Sequence, residues 1–243
     1  GVCTAAIANS NHCGAMDYYA LMASEADMIG LATTNALPTM APYGGADRIL
    51  GINPLGIAIP AGDHPPVVLD TSFGATARGR IEIYQQKGLA LPDDWALDSD
   101  GRPTTDPAVA LNGLIAPAGA HKGSGLAVMT GLLSTILTGA AYGTQLGNVD
   151  EGPRAGADGQ FVMVINPAAF DTVDAVKTRA DGVVEEILKS RRAPGFDSVL
   201  PPGRLESNLM EEFAEDGIPL NQETIENIRA AADRLGTDAS ALD

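Results

Sequence analysis

A histidine near the start of the chain lies between an apolar run and a helical repeat. Residues 2–8 form an apolar run typical of a strand, and residues 15–27 carry apolar side chains at helical spacing. His12 therefore lies where a strand ends and a helix begins, a place at which α/β proteins commonly bind ligands. An imidazole there can exchange a proton near neutral pH. A role in catalysis and a role in packing the turn both stay open at this point.

The rest of the chain alternates between strand and helix patterns, which predicts a mixed α/β fold. The patterns predict strands at 28–34, 55–59, 67–69 and 161–165, and helices at 75–87, 126–141, 172–190 and after Asn221. The helix at 126–141 is apolar on all sides, which is typical of a buried central helix. Residues 35–53 form a loop rich in Pro and Gly, and so long a loop is usually functional. The GxGxxG fingerprint does not occur, so no Rossmann dinucleotide site is predicted.

Composition narrows the possible partners. A net charge of −16, from 15 basic and 31 acidic residues, argues against nucleic acid, because binding phosphates needs an excess of Lys and Arg. The uncharged stretch at 123–149 is interrupted by hydroxyl side chains and glycines, which argues against a membrane span. Cys3 and Cys13 cannot form a metal site by themselves, and two cysteines in 243 residues fit a reducing compartment. We therefore expect a cytoplasmic protein without bound metal.

Two polar clusters lie at predicted strand and helix ends. Asp70, Thr71 and Ser72 follow a predicted strand, and their oxygens suit ribose or amide recognition as well as a helix N-cap. Lys122 lies among glycines at the start of a predicted helix, where it can hold an anion or simply be solvated. From the residues alone, the pattern favours an α/β enzyme that binds a small anionic ligand.

Seven segments, in the same order along nearly the whole chain, resemble the malate/L-lactate dehydrogenase family of NAD(P)-dependent oxidoreductases. This family is distinct from the Rossmann-type lactate dehydrogenases and includes ureidoglycolate, sulfolactate and diketogulonate oxidoreductases and piperideine-carboxylate reductases. The segments are SNHCG (10–14), TNALPTMAPYGG (34–45), GINPLGIAIPAG (51–62), VVLDTSFGATARGR (67–80), WALDSDGRPTTDP (95–107), HKGSGLAVM (121–129) and APGFDSVLPPGR (193–204).

The resemblance implies roles for individual residues. His12 matches the histidine that serves as proton acceptor in some members. Ala36 falls where some members bind the cofactor through a serine, so a backbone contact is what can remain there. Ile52 stands where some members use a threonine on the substrate, and Asn53 keeps the next position. The remaining implied contacts are to NAD or NADP, and they are made by Asp70, Thr71, Ser72, His121, Lys122, Gly203, Arg204 and Leu205.

The resemblance also implies an architecture and an activity. We expect a mixed-sheet NAD(P)-binding α/β domain over residues 1–190. We expect a C-terminal segment over 191–243 to pack with an N-terminal helical region that precedes Gly1. The implied reaction is hydride transfer between NAD(P) and C2 of a small malate- or lactate-like 2-hydroxy acid, in a homodimer. The substrate carboxylate calls for an arginine, either Arg48, Arg78 or one from the preceding region. The alternative, suggested by Ala36 and Ile52, is a non-catalytic nucleotide-binding or assembly subunit.

Overall fold

The structure, a computed structural model, describes residues 1–147 and 152–240. Its strands are β1 (Val2–Ser10), β2 (Ile29–Thr34), β3 (Pro38–Met40), β4 (Leu50–Gly51), β5 (Leu55–Ile59), β6 (Val67–Thr71), β7 (Ala96–Leu97), β8 (Leu114–Ile115) and β9 (Asp158–Ile165). Its helices are α1 (Met16–Ser24), α2 (Arg78–Gln86), α3 (Pro107–Asn112), α4 (His121–Thr135), α5 (Val173–Leu188), α6 (Arg204–Asp216) and α7 (Gln222–Leu235). The predicted α/β class is confirmed.

The main sheet has the strand order β1-β9-β2-β5-β6. The pairs β1–β9, β9–β2, β2–β5 and β5–β6 are all antiparallel, which corrects the expectation of a mixed sheet. The reason lies in β9, which inserts between β1 and β2. Those two strands still run in the same direction, as a strand–helix–strand unit requires, but they are separated by a strand that runs against both.

The chain forms two compact units, Gly1–Gly203 and Arg204–Asp243. The boundary that we predicted at residue 190 groups the extended segment 191–203 with the C-terminal helices. In the structure this segment belongs to the first unit, because the Val68 amide donates to the Pro202 carbonyl at 3.1 Å. The second unit contains α6 and α7, and the predicted cap is confirmed, since Asn221 Oδ1 accepts from the Thr224 amide.

Helix α4 is buried on one face only, which corrects the prediction of a buried central helix. Ala127 and Ser134 are fully buried, whereas Met129 and Ile136, on and just beyond the other face, are 60% and 66% exposed. The small and hydroxyl side chains of the buried face let α4 approach β9 closely: a Cβ on Gly159 would lie 2.1 Å from the Ser134 carbonyl oxygen. None of the helices in residues 1–147 and 152–240 has the length and hydropathy of a membrane-spanning segment.

Helix α1 packs its backbone directly against the sheet. A Cβ on Gly30 of β2 would lie 2.3 Å from the carbonyl oxygen of Ala20, and one on Gly56 of β5 would lie 2.4 Å from that of Met16. Neither contact leaves room for a side chain, so both strands need glycine where the helix crosses them. Because α1 follows the His12 turn, these two glycines also fix the position of that turn against the sheet.

We predict that Gly30→Ala lowers the free energy of unfolding by about 1–3 kcal/mol, because the added methyl group meets helix backbone rather than a movable side chain. Thermal and denaturant unfolding measure the change. The matched control is Gly182→Ala in α5, where nothing lies within 4 Å of an added Cβ and helix propensity favours alanine by up to about 1 kcal/mol. Equal stability of the two variants would show that α1 does not need this close contact.

Candidate active site

Strand β1 ends in a bulge that aims the turn after it. Ile7 pairs with Gln160 whereas Ser10 pairs with Asp158, so β1 holds one residue more than β9 over this interval. Asn9, inside the interval, has a φ of 53°, a left-handed value that asparagine adopts more readily than most residues. Bulges bend strands and re-aim side chains, frequently beside active sites. This bulge carries the chain past the first residue of β9 and into the His12 turn.

Hydrogen bonds hold the His12 turn in place. The Gly14 amide donates to His12 Nδ1 at 3.3 Å, and the His12 amide donates to Asn11 Oδ1 at 3.0 Å. The Tyr19 hydroxyl, one turn into α1, donates to the Cys13 carbonyl at 2.7 Å. The imidazole itself is exposed at the mouth of a cavity.

We call this cavity the His12 cleft, which is lined mainly by residues 11–14, residues 34–37, Ile52, Arg78 and Asp158. Its volume of about 570 Å³ lies within the range of small-molecule sites. Four residues singled out by the sequence line it together: His12, Ala36, Ile52 and Arg78. The cleft therefore joins a titratable side chain to a largely apolar wall, as a site for a small organic acid requires.

Asp158 is the acidic group of the cleft, and sequence analysis missed it. Burial raises the pKa of the Asp158 carboxyl, and the charge of His12 acts in the opposite direction. Burial also raises the pKa of the Cys13 thiol; a hydrogen bond with Thr34 lowers it and the charge of Asp158 raises it. Cys13 thus remains a thiol rather than a thiolate nucleophile. The sequence offered one indication of Asp158, an acidic residue in a turn-like stretch just before the strand predicted at 161–165.

The predicted cofactor residues at the end of β6 lie next to the start of α4. The Ala118 amide donates to the Phe73 carbonyl at 2.9 Å, and Gly74 forms a β-bridge with Pro117. The triplet 70–72 and the pair 121–122 are therefore on adjoining segments. On the other side of β6, Gly203 has a φ of 82°, and a Cβ there would lie 2.8 Å from the Val68 Cβ. Arg204 and Leu205 are the first residues of α6, in the second unit.

The first turn of α4 concentrates positive charge. Lys122 is exposed in that turn, which contains no acidic residue. A cation at a helix N-terminus adds to the positive end of the helix dipole, an arrangement that favours a bound anion. Ala120, just before α4, has a φ of 58° and a ψ of −121°, and alanine adopts such a conformation only at an energetic cost. The Tyr43 ring meets that of His121 edge-on, with 5.9 Å between centroids.

A backbone hydrogen bond connects these segments to the His12 cleft. The Phe73 amide donates to the Ile52 carbonyl at 2.8 Å, and Ile52 lines the cleft. Of the predicted cofactor residues, Ala36 lines the cleft, whereas Asp70 and Lys122 do not.

The two arginines considered for the substrate carboxylate differ in position. Arg78 lines the cleft; its Nε donates to Glu82 and its Nη1 donates to the Leu111 carbonyl, both at 3.1 Å. Arg48 donates through Nη2 to the carbonyls of Asn112 and Gly113 and lies outside the cleft. Of this pair, Arg78 is the residue positioned to meet a ligand.

Asn53, which the family resemblance suggests as a substrate residue, is engaged inside the protein. It is 1% exposed; its Oδ1 accepts from the Ala36 amide at 2.9 Å and its Nδ2 donates to the Ala127 carbonyl at 2.7 Å. At this degree of burial Asn53 cannot reach a substrate without a local rearrangement. Asn53 thereby ties the Ala36 wall of the cleft to α4, and it occupies the Ala36 amide, one of the two backbone groups that could make the predicted cofactor contact at this position.

The described residues contain no group of three His, Cys, Asp or Glu side chains that could hold a metal ion. Cys3 is exposed and Cys13 partly buried, and both are free thiols.

Comparison with known proteins decides the family. A sequence model described as malate/L-lactate dehydrogenase matches residues 1–229. The chain belongs to this family. Malate dehydrogenase of Pyrococcus horikoshii is 36% identical over 238 residues, covering 95% of this chain and 65% of its own length. L-sulfolactate dehydrogenase of Methanocaldococcus jannaschii is 37% identical over 236 residues, covering 97% of this chain and 67% of its own length.

Solved structures of malate/L-lactate dehydrogenase family members show the same fold. The sulfolactate dehydrogenase structure from Methanocaldococcus jannaschii superposes with a TM-score of 0.88 at 36% identity, over 98% of this chain and 68% of that chain. The chain thus spans about two thirds of the length of the curated relatives it matches. The predicted fold class, an α/β domain of the malate/sulfolactate dehydrogenase type without a Rossmann fold, is confirmed.

We predict that Asn53→Ala lowers the free energy of unfolding by about 2–4 kcal/mol, because it strands a buried donor and a buried acceptor. Thermal unfolding measures the loss. The matched control is Asn112→Ala, which removes an exposed amide that donates to the Ala108 carbonyl. If Asn53→Ala kept the stability of the wild type but raised only the substrate KM, Asn53 would be a substrate residue after all.

Proposed function

We propose that this chain carries the acid–base residue and nicotinamide-binding segments of an NAD(P)-dependent 2-hydroxyacid dehydrogenase. Its substrate is a small malate- or lactate-like acid, and His12 is its general acid and base. The observation that carries the proposal is the connection between the two halves of the site. A hydrogen bond from Phe73 to Ile52 joins the His12 cleft to the segments that contain the predicted cofactor residues. Family membership supports the same reaction class.

The residues around the end of β6 fit a dinucleotide in chemical type. Lys122 in the first turn of α4 offers an ammonium group for the pyrophosphate, and Asp70 offers a carboxylate for ribose hydroxyls. Gly203 brings backbone without a side chain to the edge of β6. Ser72, Thr71 and His121 complete the proposed contacts of the first unit, and the contacts that the family resemblance implies for Arg204 and Leu205 stay predictions. When bound, the nicotinamide supplies hydride acceptance in one direction and hydride donation in the other.

His12 handles the proton in this scheme. In oxidation the hydroxyl proton of the hydroxy acid passes to Nδ1 of the neutral imidazole, which gives up the hydrogen bond from the Gly14 amide, and the ring becomes positively charged. In reduction the protonated imidazole returns a proton to the oxygen of the keto group. An imidazole suits both directions near neutral pH, and general acid–base catalysis of this kind contributes about 10²–10⁴-fold in rate. The exposed ring position at the cleft mouth lets the proton reach solvent after each turnover.

The cleft suits an acid with one small substituent. Arg78 provides a guanidinium group for the substrate carboxylate. A guanidinium can bind a carboxylate through two parallel hydrogen bonds. Ile52, Leu37 and Ile115 provide apolar walls around the reacting carbon. Exclusion of water by such walls strengthens the electrostatic contacts inside the site.

We predict that His12→Asn lowers kcat in the full-length protein by about 10²–10⁴-fold, because the acid–base group is lost while the cleft keeps its shape. Steady-state rates with malate, lactate, sulfolactate and ureidoglycolate, each with NAD and NADP, measure the effect. His64→Asn, outside the cleft, is the control and retains wild-type rates. Near-normal turnover in His12→Asn would remove His12 from this role. If NADH bound to the wild type but no acid turned over, the chain would belong to a non-catalytic nucleotide-binding subunit instead.

We predict that Lys122→Met weakens binding of NADH and NADPH about 10–100-fold, since one charge-assisted hydrogen bond contributes about 1.5–3 kcal/mol. Fluorescence titration of the two reduced cofactors measures both dissociation constants and shows which cofactor is preferred. Lys87→Met removes the same charge from the exposed end of α2 and leaves both constants unchanged. Equal affinities in wild type and Lys122→Met would exclude Lys122 from the cofactor site.

A further inference from the structure

The β1 bulge brings a carboxylate to the same cleft as the catalytic histidine. Ser10, the last residue of β1, pairs with Asp158, the first residue of β9, and His12 lies two residues further on. Without the extra residue in β1, Asn9 would pair with Asp158 and His12 would be carried one residue beyond its present position. His12 and Asp158 both line the cleft. Their meeting therefore depends on the bulge and not on closeness in the sequence.

The two groups also act on each other electrostatically. Asp158 is partly buried, which raises the pKa of its carboxyl, and the charge of His12 acts to lower that pKa. Such an interaction favours the pair with opposite charges, carboxylate and imidazolium, and it is stronger in a partly dry cleft than in water.

We propose that Asp158 is a positioning residue that stabilises the positively charged form of His12 during the reaction, an inference that rests on the proposed function. When the substrate hydroxyl gives its proton to the imidazole, the ring charge changes from zero to +1. The Asp158 carboxylate offsets the new charge without taking the proton itself. In the reverse direction it keeps the imidazolium available to protonate the keto oxygen.

Among the described residues that line the cleft, Asp158 is the acidic one. Cys13 is held as a neutral thiol, and Tyr19 of α1 donates its hydroxyl to the Cys13 carbonyl. Arg78 of α2 is positive and is paired with Glu82. The lining segments 34–37 and 52–54 contain no ionisable side chain. Among these groups, Asp158 supplies the negative charge that an imidazolium needs.

The first test measures the ionisation of His12 directly, without turnover. The protein has three histidines, so the imidazole NMR signals of His12 can be assigned with His12→Asn. In Asp158→Asn, which keeps the side-chain shape and removes the charge, the imidazole is expected to take up its proton only at a lower pH than in the wild type, because the neighbouring negative charge is gone. Glu186→Gln makes an equal charge change on the exposed face of α5, and it is expected to leave the NMR titration of His12 unchanged. An unchanged His12 titration in Asp158→Asn would overturn the proposal.

The reciprocal effect must also appear. Because the charge of His12 lowers the pKa of Asp158, His12→Asn is expected to raise the pKa of the Asp158 carboxyl, as seen by carbon NMR. A change at one of the two groups without the expected change at the other would contradict a direct pairing.

Kinetics then separate positioning from a merely structural role. In hydroxy-acid oxidation His12 must start neutral, so loss of the Asp158 charge moves the acid limb of the kcat profile to lower pH and lowers kcat about tenfold. KM does not rise, since removing a negative charge from the cleft cannot weaken binding of an anionic substrate by repulsion. Asp158→Glu restores the wild-type limb. If KM rose while the acid limb of the kcat–pH profile stayed where it is in the wild type, Asp158 would not be a positioning residue for His12. Coupled NMR titrations with no turnover of any acid would support the pairing and overturn the proposed function.

Discussion

The site depends on one steric constraint, the contact of the α1 backbone with the sheet at Gly30 and Gly56. A helix that touches strands through its own backbone cannot slide or rotate without creating a clash, because no flexible side chain lies in between. The turn that bears His12 is the segment between β1 and this helix. It is therefore fixed at one end by the β1–β9 pairing and at the other by two glycines. The hydrogen bond from Tyr19 to Cys13 adds a third attachment.

A second link runs through Asn53, which couples cleft and helix in the interior. Its amide satisfies the Ala36 backbone on one side and the Ala127 backbone on the other. Glycines at 51 and 131 leave space for this side chain, since a Cβ at either position would lie 2.5 Å from one of its polar atoms. The cleft wall, the loop before β5 and α4 are thus joined through one buried side chain.

Local patterns in the sequence predicted most elements, because strand and helix periodicities depend on nearest neighbours along the chain. The strands around residues 2–8, 28–34, 55–59 and 161–165 and the helix after Asn221 were found in this way. The antiparallel sheet was not, because it depends on β9 pairing with strands more than 120 residues away. The exposed face of α4 was not predicted either, because apolar composition alone does not show which faces of a helix are covered.

The same distinction between local patterns and distant contacts applies to the candidate site. His12, the triplet at 70–72 and Lys122 were recognised from short motifs, and the structure places the latter two on adjoining segments. Asp158 carried no motif, because its importance arises from a bulge and from a pairing across 148 positions of sequence. Asn53 had a motif position, but its burial and its bonds to Ala36 and Ala127 cannot be read from a pattern. The roles assigned to the cofactor residues stay predictions until cofactor binding is measured.

The position of β9 between β1 and β2 has a consequence for how the protein forms. Within the described chain β1 pairs with β9, so β1 leaves the ribosome well before residues 158–165, the strand with which it pairs. Closing so long a loop is slow, and an unpaired apolar strand is exposed to aggregation in the meantime. The helix α1 and the β2–β5–β6 meander can assemble earlier from near neighbours. The turn that bears His12 is thus completed late in folding, and chains that stall before β9 lack the pairing that holds this turn in place.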